Sequence, residues 1–388
     1  MKKIDTNKLM IIFIGFLDIL AIGIFVPTLP DLAKYYGVSA HLISYAIVAY
    51  AFFSFIAGPV LGQLSDVFGR KKILILCIVG SVASNLLMTL TASFTIFILA
   101  RIINGITGGN ISVISSMMSD ISKDKKERMT NMGIIGALFG LGFIVGPALG
   151  AMLLAFGVKA PFWLMTIASV FELVMMIIFL KETHLNTIKK KINYNPFSSI
   201  FKFLKDVNVR IFIVSLFMLI LSFSLYQGMF PVFLAKEFSL PAYVTGYIMS
   251  AVGLVIAFNQ AFLLKRFWLK MFSLSKLFFI INIGIFILFV MLFLIKDLTT
   301  FLIVFFFLVA LQGVVNPIYQ SEIVENTGEH ERGEIMGVMG SLQSMSMFIG
   351  PLIGGICIDR NISMFGFGAI IVFINILIIT RLVKKLKN

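Results

Sequence analysis

The 388-residue sequence has a composition that a water-soluble protein could not keep away from its surface. Hydrophobic residues make up 59% of it, charged residues only 13%, and the mean hydropathy is +1.03, so we expect the folded chain to lie in lipid. The formal net charge of +14 would be compatible with a nucleic-acid-binding protein, and the positions of the basic residues decide against that class.

Apolar runs of roughly 20 residues, long enough to cross a ~30 Å hydrocarbon layer, recur along the whole chain. A single signal peptide would give only one such run, near the amino terminus. We therefore predict twelve membrane-spanning helices, called spans 1 to 12, at residues 9–29, 43–61, 73–92, 95–118, 132–155, 161–180, 211–231, 244–263, 276–295, 299–319, 335–356 and 363–380.

The basic residues fall on alternate loops of this arrangement. With the amino terminus in the cytoplasm, 26 of the 32 Lys and Arg residues lie on the cytoplasmic side, five lie on the other side, and Arg101 lies within span 4. This positive-inside bias requires an even number of spans and predicts a multi-pass protein of the cell membrane with both termini in the cytoplasm. Anionic lipid therefore accounts for the basic charge, and no nucleic-acid partner is expected.

The longest polar stretch, residues 181–210, divides the spans six and six. It predicts a cytoplasmic linker between an N-terminal bundle, 1–180, and a C-terminal bundle, 211–388. Apolar residues recur within the linker at helical spacing, which is typical of a short helix in the membrane interface. A solvated linker without such a helix is the alternative. The apolar residues concerned are Phe197, Ile200, Phe201 and Leu204.

An internal repeat relates span 5 to span 11. A shift of 204 residues superposes residues 127–150 on residues 331–354 with nine identities and no gap. Transporters are often built from duplicated halves that move about a central site. The repeat therefore predicts two pseudo-symmetric six-helix bundles.

Asp18 lies near the middle of span 1. Lipid disfavours the charged form of a carboxyl group, so such a group can hold a proton on one side of the membrane and release it where it becomes hydrated. Glu172, near the centre of span 6, is the second acid in such a position. We predict that both take part in proton coupling.

The loop after span 2 combines two glycines, an acid and three cations. The glycines permit a tight turn, the acid can face a helix amino terminus or an arginine, and the cations can face anionic lipid. It reads Gly62-Gln63-Leu64-Ser65-Asp66-Val67-Phe68-Gly69-Arg70-Lys71-Lys72. This pattern resembles the signature loop of the major facilitator superfamily. The resemblance implies a conformational latch formed by Gly62, Asp66, Gly69, Arg70 and Lys71, whereas a simple positive-inside turn is the alternative.

Arg101 in span 4 is the only basic residue that the prediction places in the interior of a span, since Lys276 is the first residue of span 9. At 1.5 Å per residue it lies roughly 9 Å below the outer end, where an unpaired charge costs about 2.5–3.5 kcal/mol. The segment Arg101-Ile102-Ile103-Asn104-Gly105 resembles a second motif of the same superfamily, which implies a role in proton coupling. A purely structural ion pair is the alternative.

Span 5 contains glycines around a proline, which let a second helix approach closely and bend the helix where one hydrogen bond is lost. The segment resembles the antiporter motif of the superfamily's exporters, and a structural helix crossing would explain it equally well. The residues are Gly142, Gly146, Pro147 and Gly150, with a copy in span 11 at Gly350, Pro351 and Gly354.

Span 1 is similar to the first helix of tetracycline and multidrug:proton antiporters, although the acid that this group carries in span 3 is replaced here by Ser84 and Asn85. Neutral polar residues of the second half are candidates to line a substrate cavity, or else to bridge helices. They are Tyr226, Gln227, Asn259, Gln260, Gln312, Asn316 and Tyr319.

The sequence therefore predicts a secondary active transporter, a monomer that uses the proton gradient, needs no cofactor, and exports small amphipathic compounds or drugs by alternating access. Export of an endogenous metabolite such as a siderophore is the alternative within this class. A non-transporting membrane sensor is the alternative from another class. An enzyme is not expected, since no metal or nucleophile motif can be assembled from Cys77, Cys357 and the scattered histidines.

Overall fold

The computed structural model describes residues 6–183, 202–205, 207–272, 274–327 and 332–387. Every regular element within these ranges is a helix. The solvent explains this, because lipid offers no hydrogen-bond partner and a spanning backbone must satisfy its own N–H and C=O groups. The predicted all-α class is confirmed. Most of the predicted interfacial helix of the linker lies outside the described residues.

Eleven helices of the described residues are long and apolar enough to cross a membrane. A twelfth helix has a shorter apolar part, Met364–Thr380. These twelve helices correspond one to one to the predicted spans, so the chain is a multi-pass membrane protein with the predicted number of spans.

Spans 1 to 6 form the first half of the chain. Their helices are Thr6–Phe25 and Leu29–Tyr36 for span 1, Ala40–Phe68 for span 2, Arg70–Leu90 for span 3, Phe94–Ile106 and Asn110–Asp120 for span 4, Lys125–Leu153 for span 5, and Ala160–Phe179 for span 6.

Spans 7 to 12 follow in the second half. Their helices are Val207–Gln227 for span 7, Ala242–Phe258 for span 8, Leu274–Leu294 for span 9, Leu298–Glu325 for span 10, Arg332–Asp359 for span 11, and Met364–Lys387 for span 12, with a short helix Phe230–Glu237 after span 7.

Polar side chains cap several of these helices where they leave the apolar layer. The Ser39 hydroxyl accepts a hydrogen bond from the Leu42 amide at the start of span 2. The Asp124 carboxylate accepts one from the Glu127 amide at the start of span 5, at 2.7 Å. Such caps satisfy amides that have no partner within the first turn, and they fix where each span begins.

Two helices depart from the continuous spans that the sequence predicts. Span 4 is interrupted at residues 107–109, and span 8 continues after Phe258 as a ten-residue π-helix, Asn259–Trp268. The interruption coincides with Gly108 and Gly109, since glycine weakens a helix interior. The π-helix carries no comparable signal in the sequence.

The helices pair in the same order in both halves. In the first half, span 1 packs on span 5, span 2 on span 4, and span 3 on span 6. In the second half, span 7 packs on span 11, span 8 on span 10 through its π-helical part, and span 9 on span 12. The repeated pairing agrees with the two predicted pseudo-symmetric bundles.

Glycines bring spans 1 and 5 into backbone contact. A Cβ atom added at Gly146 would lie 2.7 Å from the Cα atom of Gly23, and one added at Gly150 would overlap the carbonyl oxygen of Ile24. Separations below 3.0 Å are not tolerated without movement of the backbone. These two positions therefore require glycine for the two spans to cross as they do.

The equivalent glycines of span 11 meet span 7 in the same way. A Cβ atom at Gly350 would lie 2.5 Å from Ser224, and one at Gly354 would overlap the carbonyl oxygen of Leu225. The Ser224 hydroxyl also donates a hydrogen bond to the Ser346 carbonyl oxygen at 2.7 Å. The repeat that relates span 5 to span 11 thus extends to the partner helices.

Contacts between residues group the chain into two compact units. The first comprises Met1–Tyr194 and Leu234–Ser250, and the second comprises Asn195–Phe233 and Ala251–Asn388. The first unit includes the beginning of span 8, where a Cβ atom at Gly246 would lie 2.7 Å from the carbonyl oxygen of Pro147. The domain boundaries predicted at residues 180 and 210 stay a prediction.

We expect Gly150→Val to destabilise the first bundle by about 1–3 kcal/mol or more, because the added side chain displaces the backbone of span 1. Gly136→Val provides the matched control, since a Cβ atom there would meet nothing within 4 Å. The measurement is the thermal midpoint of detergent-purified protein, determined from the amount of protein that still elutes as a folded peak in size exclusion after heating. Equal midpoints for the two variants would contradict the packing argument.

Candidate functional site

The carboxyl group of Asp18 is partly buried within the first unit. Its Oδ1 atom accepts a hydrogen bond from the Asn110 amide nitrogen at 2.9 Å. Its Oδ2 atom is shielded from solvent and has no hydrogen-bond partner among the described residues. A carboxyl oxygen in that setting either costs free energy as an unpaired buried acceptor or binds a proton.

The interruption of span 4 places Asn110 beside Asp18. The second helix of the span begins at Asn110 itself, which is 6% exposed. Gly108 approaches Ser54 of span 2, whose hydroxyl donates a hydrogen bond to the Gly108 carbonyl oxygen at 3.3 Å. The break is therefore held by span 2, and it fixes the start of the helix that carries Asn110.

Arg101 is buried, with 6% of its surface exposed. Its Nε atom donates a hydrogen bond to the Ala46 carbonyl oxygen at 2.8 Å, and its guanidinium carbon lies 4.0 Å from the ring centre of Phe25 and 4.6 Å from that of Tyr50. Cation–π contacts of this kind offset part of the cost of desolvation. None of the ion pairs among the described residues includes Arg101, so a structural ion pair does not explain its burial.

Glu172 of span 6 is 2% exposed, and its Oε1 atom has no hydrogen-bond partner among the described residues. Span 6 packs on span 1, and Glu172 lies close enough to Asp18 for the two carboxyl groups to interact. Tyr50 lies close enough to both Asp18 and Arg101 to interact with each charge. The structure thus relates Glu172 to Asp18 by a charge interaction, and it links Arg101 to Asp18 through Tyr50, whose ring centre lies 4.6 Å from the guanidinium carbon. The coupling roles of the three residues stay a prediction.

Span 3 contributes neutral residues where the resembling antiporters carry an acid. The Ser84 hydroxyl donates a hydrogen bond to the Ala100 carbonyl oxygen at 2.8 Å. The Asn85 amide donates to Met165 and Ser169 of span 6 at 3.4 and 3.3 Å. These residues hold span 3 against spans 4 and 6.

Three of the predicted cavity residues are buried inside the second unit. Tyr226, which is 2% exposed, lies among the rings of several phenylalanines and donates its hydroxyl to Gln312 Oε1 at 2.6 Å. Asn259, 1% exposed, donates to the Ala310 carbonyl oxygen at 2.5 Å and accepts from Trp268 at 2.9 Å. These bonds bridge spans 7 and 10 and fix the π-helical part of span 8 on span 10.

Tyr319 is fully buried in a polar network of four helices. Its hydroxyl is bonded to Ser215 at 2.7 Å and to the Asn282 amide at 2.8 Å, and Asn375 donates to both Ser215 and Asn282. The network links spans 7, 9, 10 and 12, so Tyr319 has a bridging role.

Gln227, Gln260 and Asn316 are the exposed members of the predicted cavity set, and Gln312 is partly buried. The Gln260 amide donates to the Gly313 carbonyl oxygen at 3.2 Å. Contact of the predicted cavity residues with a substrate stays a prediction.

The predicted latch loop is held by ion pairs on Arg70. The Arg70 guanidinium contacts Asp66 Oδ1 at 2.5 Å and Asp120 Oδ2 at 3.1 Å, and it donates to the Ser65 hydroxyl at 2.7 Å. Asp66 therefore faces the arginine, one of the two partners considered for it. Asp120, at the end of span 4, had no signal in the sequence beyond its position at a helix end.

Glu182, just after span 6, binds the amino terminus of span 3. Its carboxylate accepts hydrogen bonds from the backbone amides of Arg70 at 2.9 Å and Lys71 at 3.1 Å. Gly69 has φ of +101°, and a Cβ atom there would lie 2.6 Å from Glu182 Oε2. Glycine is therefore required at position 69 for two reasons, its backbone conformation and the close approach of the Glu182 carboxylate.

The second latch cation also contacts the end of span 6, because Lys71 Nζ donates to the Ile177 carbonyl oxygen at 3.0 Å. The Thr183 hydroxyl donates to Asp120 Oδ2 at 3.2 Å. At Gly62 an added Cβ atom would lie 3.0 Å from the Ser112 hydroxyl. The segment from Gly62 to Lys71 is therefore tied to spans 4 and 6. The predicted loop is reduced to Gly69, because the helix of span 2 continues to Phe68 and that of span 3 begins at Arg70, so Gly62 lies within a helix.

The antiporter-like motif forms the crossing of span 5 with span 1. Pro147 and Pro351 lie inside their helices, at equivalent positions of spans 5 and 11. A Cβ atom at Gly142 would lie 2.5 Å from Ile19, the residue that follows Asp18. The motif is consequently in direct contact with the part of span 1 that carries the acid.

Buried polar groups in a helical membrane protein, an acid without a full set of partners and duplicated helix crossings are typical of membrane transporters. The chain belongs to the Major Facilitator Superfamily, whose family model matches residues 11–351 and 267–387. The chain functions in the transport of a small molecule, which is the activity of this class.

Curated relatives cover nearly the whole chain. Multidrug resistance protein 2 of Bacillus subtilis (strain 168) is 26% identical over 371 residues, which are 93% of this chain and 92% of the relative. Tetracycline resistance protein, class C, of Escherichia coli is 27% identical over 368 residues, 90% of this chain and 89% of the relative.

Solved structures share the fold at low identity. The nucleoside transporter NupG superposes with a TM-score of 0.74 at 12% identity, covering 98% of this chain and 99% of that chain. The human organic anion transporter MFSD10 (TETRAN) superposes with a TM-score of 0.69 at 20% identity, covering 96% and 99%. The predicted superfamily and its fold are confirmed.

We expect Glu182→Ala to speed hydrogen exchange at the Arg70 and Lys71 amides by about tenfold, because each amide loses a charge-assisted, partly buried hydrogen bond to the carboxylate. Hydrogen–deuterium exchange of the peptide that begins span 3 is the measurement. Thr183→Val is the matched control, since Thr183 binds Asp120 and leaves both amides bonded. Unchanged exchange in Glu182→Ala would contradict the capping role.

Proposed function

We propose that the protein is a proton-driven antiporter that exports small amphipathic compounds from the cytoplasm. The observation that carries the proposal is the Asp18 carboxyl group within span 1, with one oxygen bonded to Asn110 and the other shielded and without a partner among the described residues. The names of the two relatives, a multidrug resistance protein and a tetracycline resistance protein, support export and the chemical class of the substrate.

Asp18 is the proposed proton carrier. A carboxylate inside a bilayer is costly unless it is neutralised, and a bound proton neutralises it without any other partner. When the region around span 1 becomes hydrated from one side, the ionised form is favoured again and the proton is released to that side. Alternating exposure of one carboxyl group thus couples proton entry to substrate exit.

Arg101 supplies a fixed positive charge for this exchange. Its bonds to the Ala46 carbonyl oxygen and the two aromatic rings hold it in place without neutralising it. A cation near the acid stabilises the carboxylate while the proton is absent. Tyr50 interacts with both charges, and the Arg101 guanidinium carbon lies 4.6 Å from its ring centre.

Glu172 is the second proton-binding candidate. Two neighbouring carboxyl groups resist being ionised together, so the proton on one depends on the state of the other. The burial of Glu172 and its interaction with Asp18 support this role.

The glycine crossings and the latch loop provide the proposed conformational change. Gly142, Gly146 and Gly150 allow span 5 to move along span 1 with little side-chain obstruction, and Pro147 leaves one backbone bond unmade. The Arg70 ion pairs and the Glu182 cap hold the cytoplasmic end of the first bundle in one state. A monomer in the cell membrane, with both termini in the cytoplasm, is sufficient for this cycle.

The proton gradient is the proposed energy source, with no cofactor. In everted vesicles with an imposed pH gradient, we expect Asp18→Asn to reduce dye transport to the background of vesicles without the protein, because the asparagine cannot exchange a proton. Fluorescence of a cationic and a neutral amphipathic dye reports the transport. Asp31→Asn, the same substitution at the outer end of span 1, is expected to transport like the wild type.

Dye transport that is indifferent to the pH gradient and to Asp18→Asn would refute the proton-driven mechanism. If no amphipathic dye is moved, a comparison of metabolites in cells with and without the protein tests export of an endogenous compound such as a siderophore.

A further inference from the structure

Asn110 is one of several buried amides with an unpaired oxygen, and its nitrogen binds the Asp18 carboxyl group. Its Nδ2 atom donates to Asp18 Oδ1 at 2.9 Å, while its Oδ1 atom is buried and has no hydrogen-bond partner among the described residues. Asp18 Oδ2 is likewise buried and has no hydrogen-bond partner among the described residues. Both unpaired atoms are acceptors in this state, and leaving a buried acceptor unpaired costs about 1–3 kcal/mol.

One proton on Asp18 changes this situation. It converts Oδ2 from an acceptor into a hydroxyl donor, while Asn110 retains an amide that can donate through Nδ2 or accept through Oδ1. The group that serves the carboxylate can therefore also serve the carboxylic acid, by presenting its other atom. An amide has this capacity, whereas a lysine or arginine can only donate.

We propose that Asn110 positions Asp18 in both protonation states, donating from Nδ2 to the carboxylate and accepting at Oδ1 from the protonated acid. The proton comes from the aqueous side to which span 1 is open, forms one O–H bond on Asp18, and leaves by breaking that bond on the other side. Asn110 itself neither gains nor loses a proton. The inference rests on the proposed function, since it gives Asp18 the coupling role.

The position of Asn110 suits this role because the helix break fixes it. Gly108 and Gly109 lie directly before it, Gly108 is bonded to Ser54, and a Cβ atom at Gly109 would lie 2.6 Å from Leu61. The amide is thus held by the contact between spans 2 and 4 rather than by the acid that it serves. A change in that contact would move the amide relative to Asp18.

The other titratable groups that interact with Asp18 come from the surrounding helices. They are Tyr50 of span 2, Cys77 of span 3 and Glu172 of span 6. Arg101 of span 4 contacts Tyr50, and span 5 presents Leu138 to Gly15 and Gly142 to Ile19. Among the described residues, the only hydrogen bond to the Asp18 side chain is the one from Asn110.

The test is infrared difference spectroscopy of the full-length protein in lipid, titrated from alkaline to acidic pH. The band of protonated Asp18 is the carboxyl C=O band that Asp18→Asn removes. In Asn110→Leu we expect this band at a higher frequency, because the acid has lost its hydrogen-bond partner. We also expect the band to form at a pH about one unit higher, because the carboxylate loses the stronger, charge-assisted bond.

Asn131→Leu is the matched control, since it removes a buried amide of the same unit whose nitrogen binds Met118 and Ser122 instead of Asp18, and the Asp18 band is expected to equal that of the wild type. Should Asn110→Leu fail to fold by size exclusion, Asn110→Ser removes the amide with a smaller side chain. An Asp18 band that is unchanged in the Asn110 variant, or shifted equally in Asn131→Leu, overturns the inference and leaves proton coupling intact. Absence of any Asp18-dependent band in the wild type overturns both.

Discussion

The structure depends on one constraint, that a charged or polar side chain in lipid must be compensated from inside the protein. Arg101 satisfies it with a backbone carbonyl group and two aromatic rings. The second unit satisfies it largely with a network around Tyr319, in which Asn375 Oδ1 has no partner among the described residues. Asp18 also satisfies it only in part, because one oxygen has no partner among the described residues. Asp18 differs from such neutral amides because its unpaired oxygen belongs to a group that can change its charge.

Helix crossings formed by glycines allow the helices around Asp18 to move. At the crossing of spans 1 and 5 the backbones touch at Gly23 and Gly146, so few side chains interlock. Interlocked side chains would make sliding costly, since protein interiors are closely packed. The latch loop has the opposite character, because charges on Arg70, Asp66 and Asp120 must separate before it opens. Glycine crossings with few interlocked side chains, together with the ion pairs of Arg70, favour two discrete conformations over gradual deformation.

The sequence was sufficient to predict the twelve spans, because lipid permits few alternatives to an apolar helix of about 20 residues. It also drew attention to Asp18, Arg101 and Glu172, since a charge in an apolar run is conspicuous, and their role in coupling stays a prediction. Asn110 and Glu182 could not be predicted in the same way. A neutral amide in a span and an acid in a linker are common, and their roles arise from helices distant in sequence. The π-helix of span 8 depends on its contacts with span 10, which no local pattern encodes.

The two glycine crossings also record how the halves diverged. In the first half 123 residues separate Gly23 from Gly146, and in the second half 126 residues separate Ser224 from Gly350, a difference of three. Yet the same steps along each helix meet at both crossings. Four residues along span 5 or span 11 correspond to one residue along span 1 or span 7 in both cases, so the crossing is the same although the chain that connects the helices differs in length. The crossing is thus common to both halves, whereas the buried Arg101 and Glu172 belong to the first half.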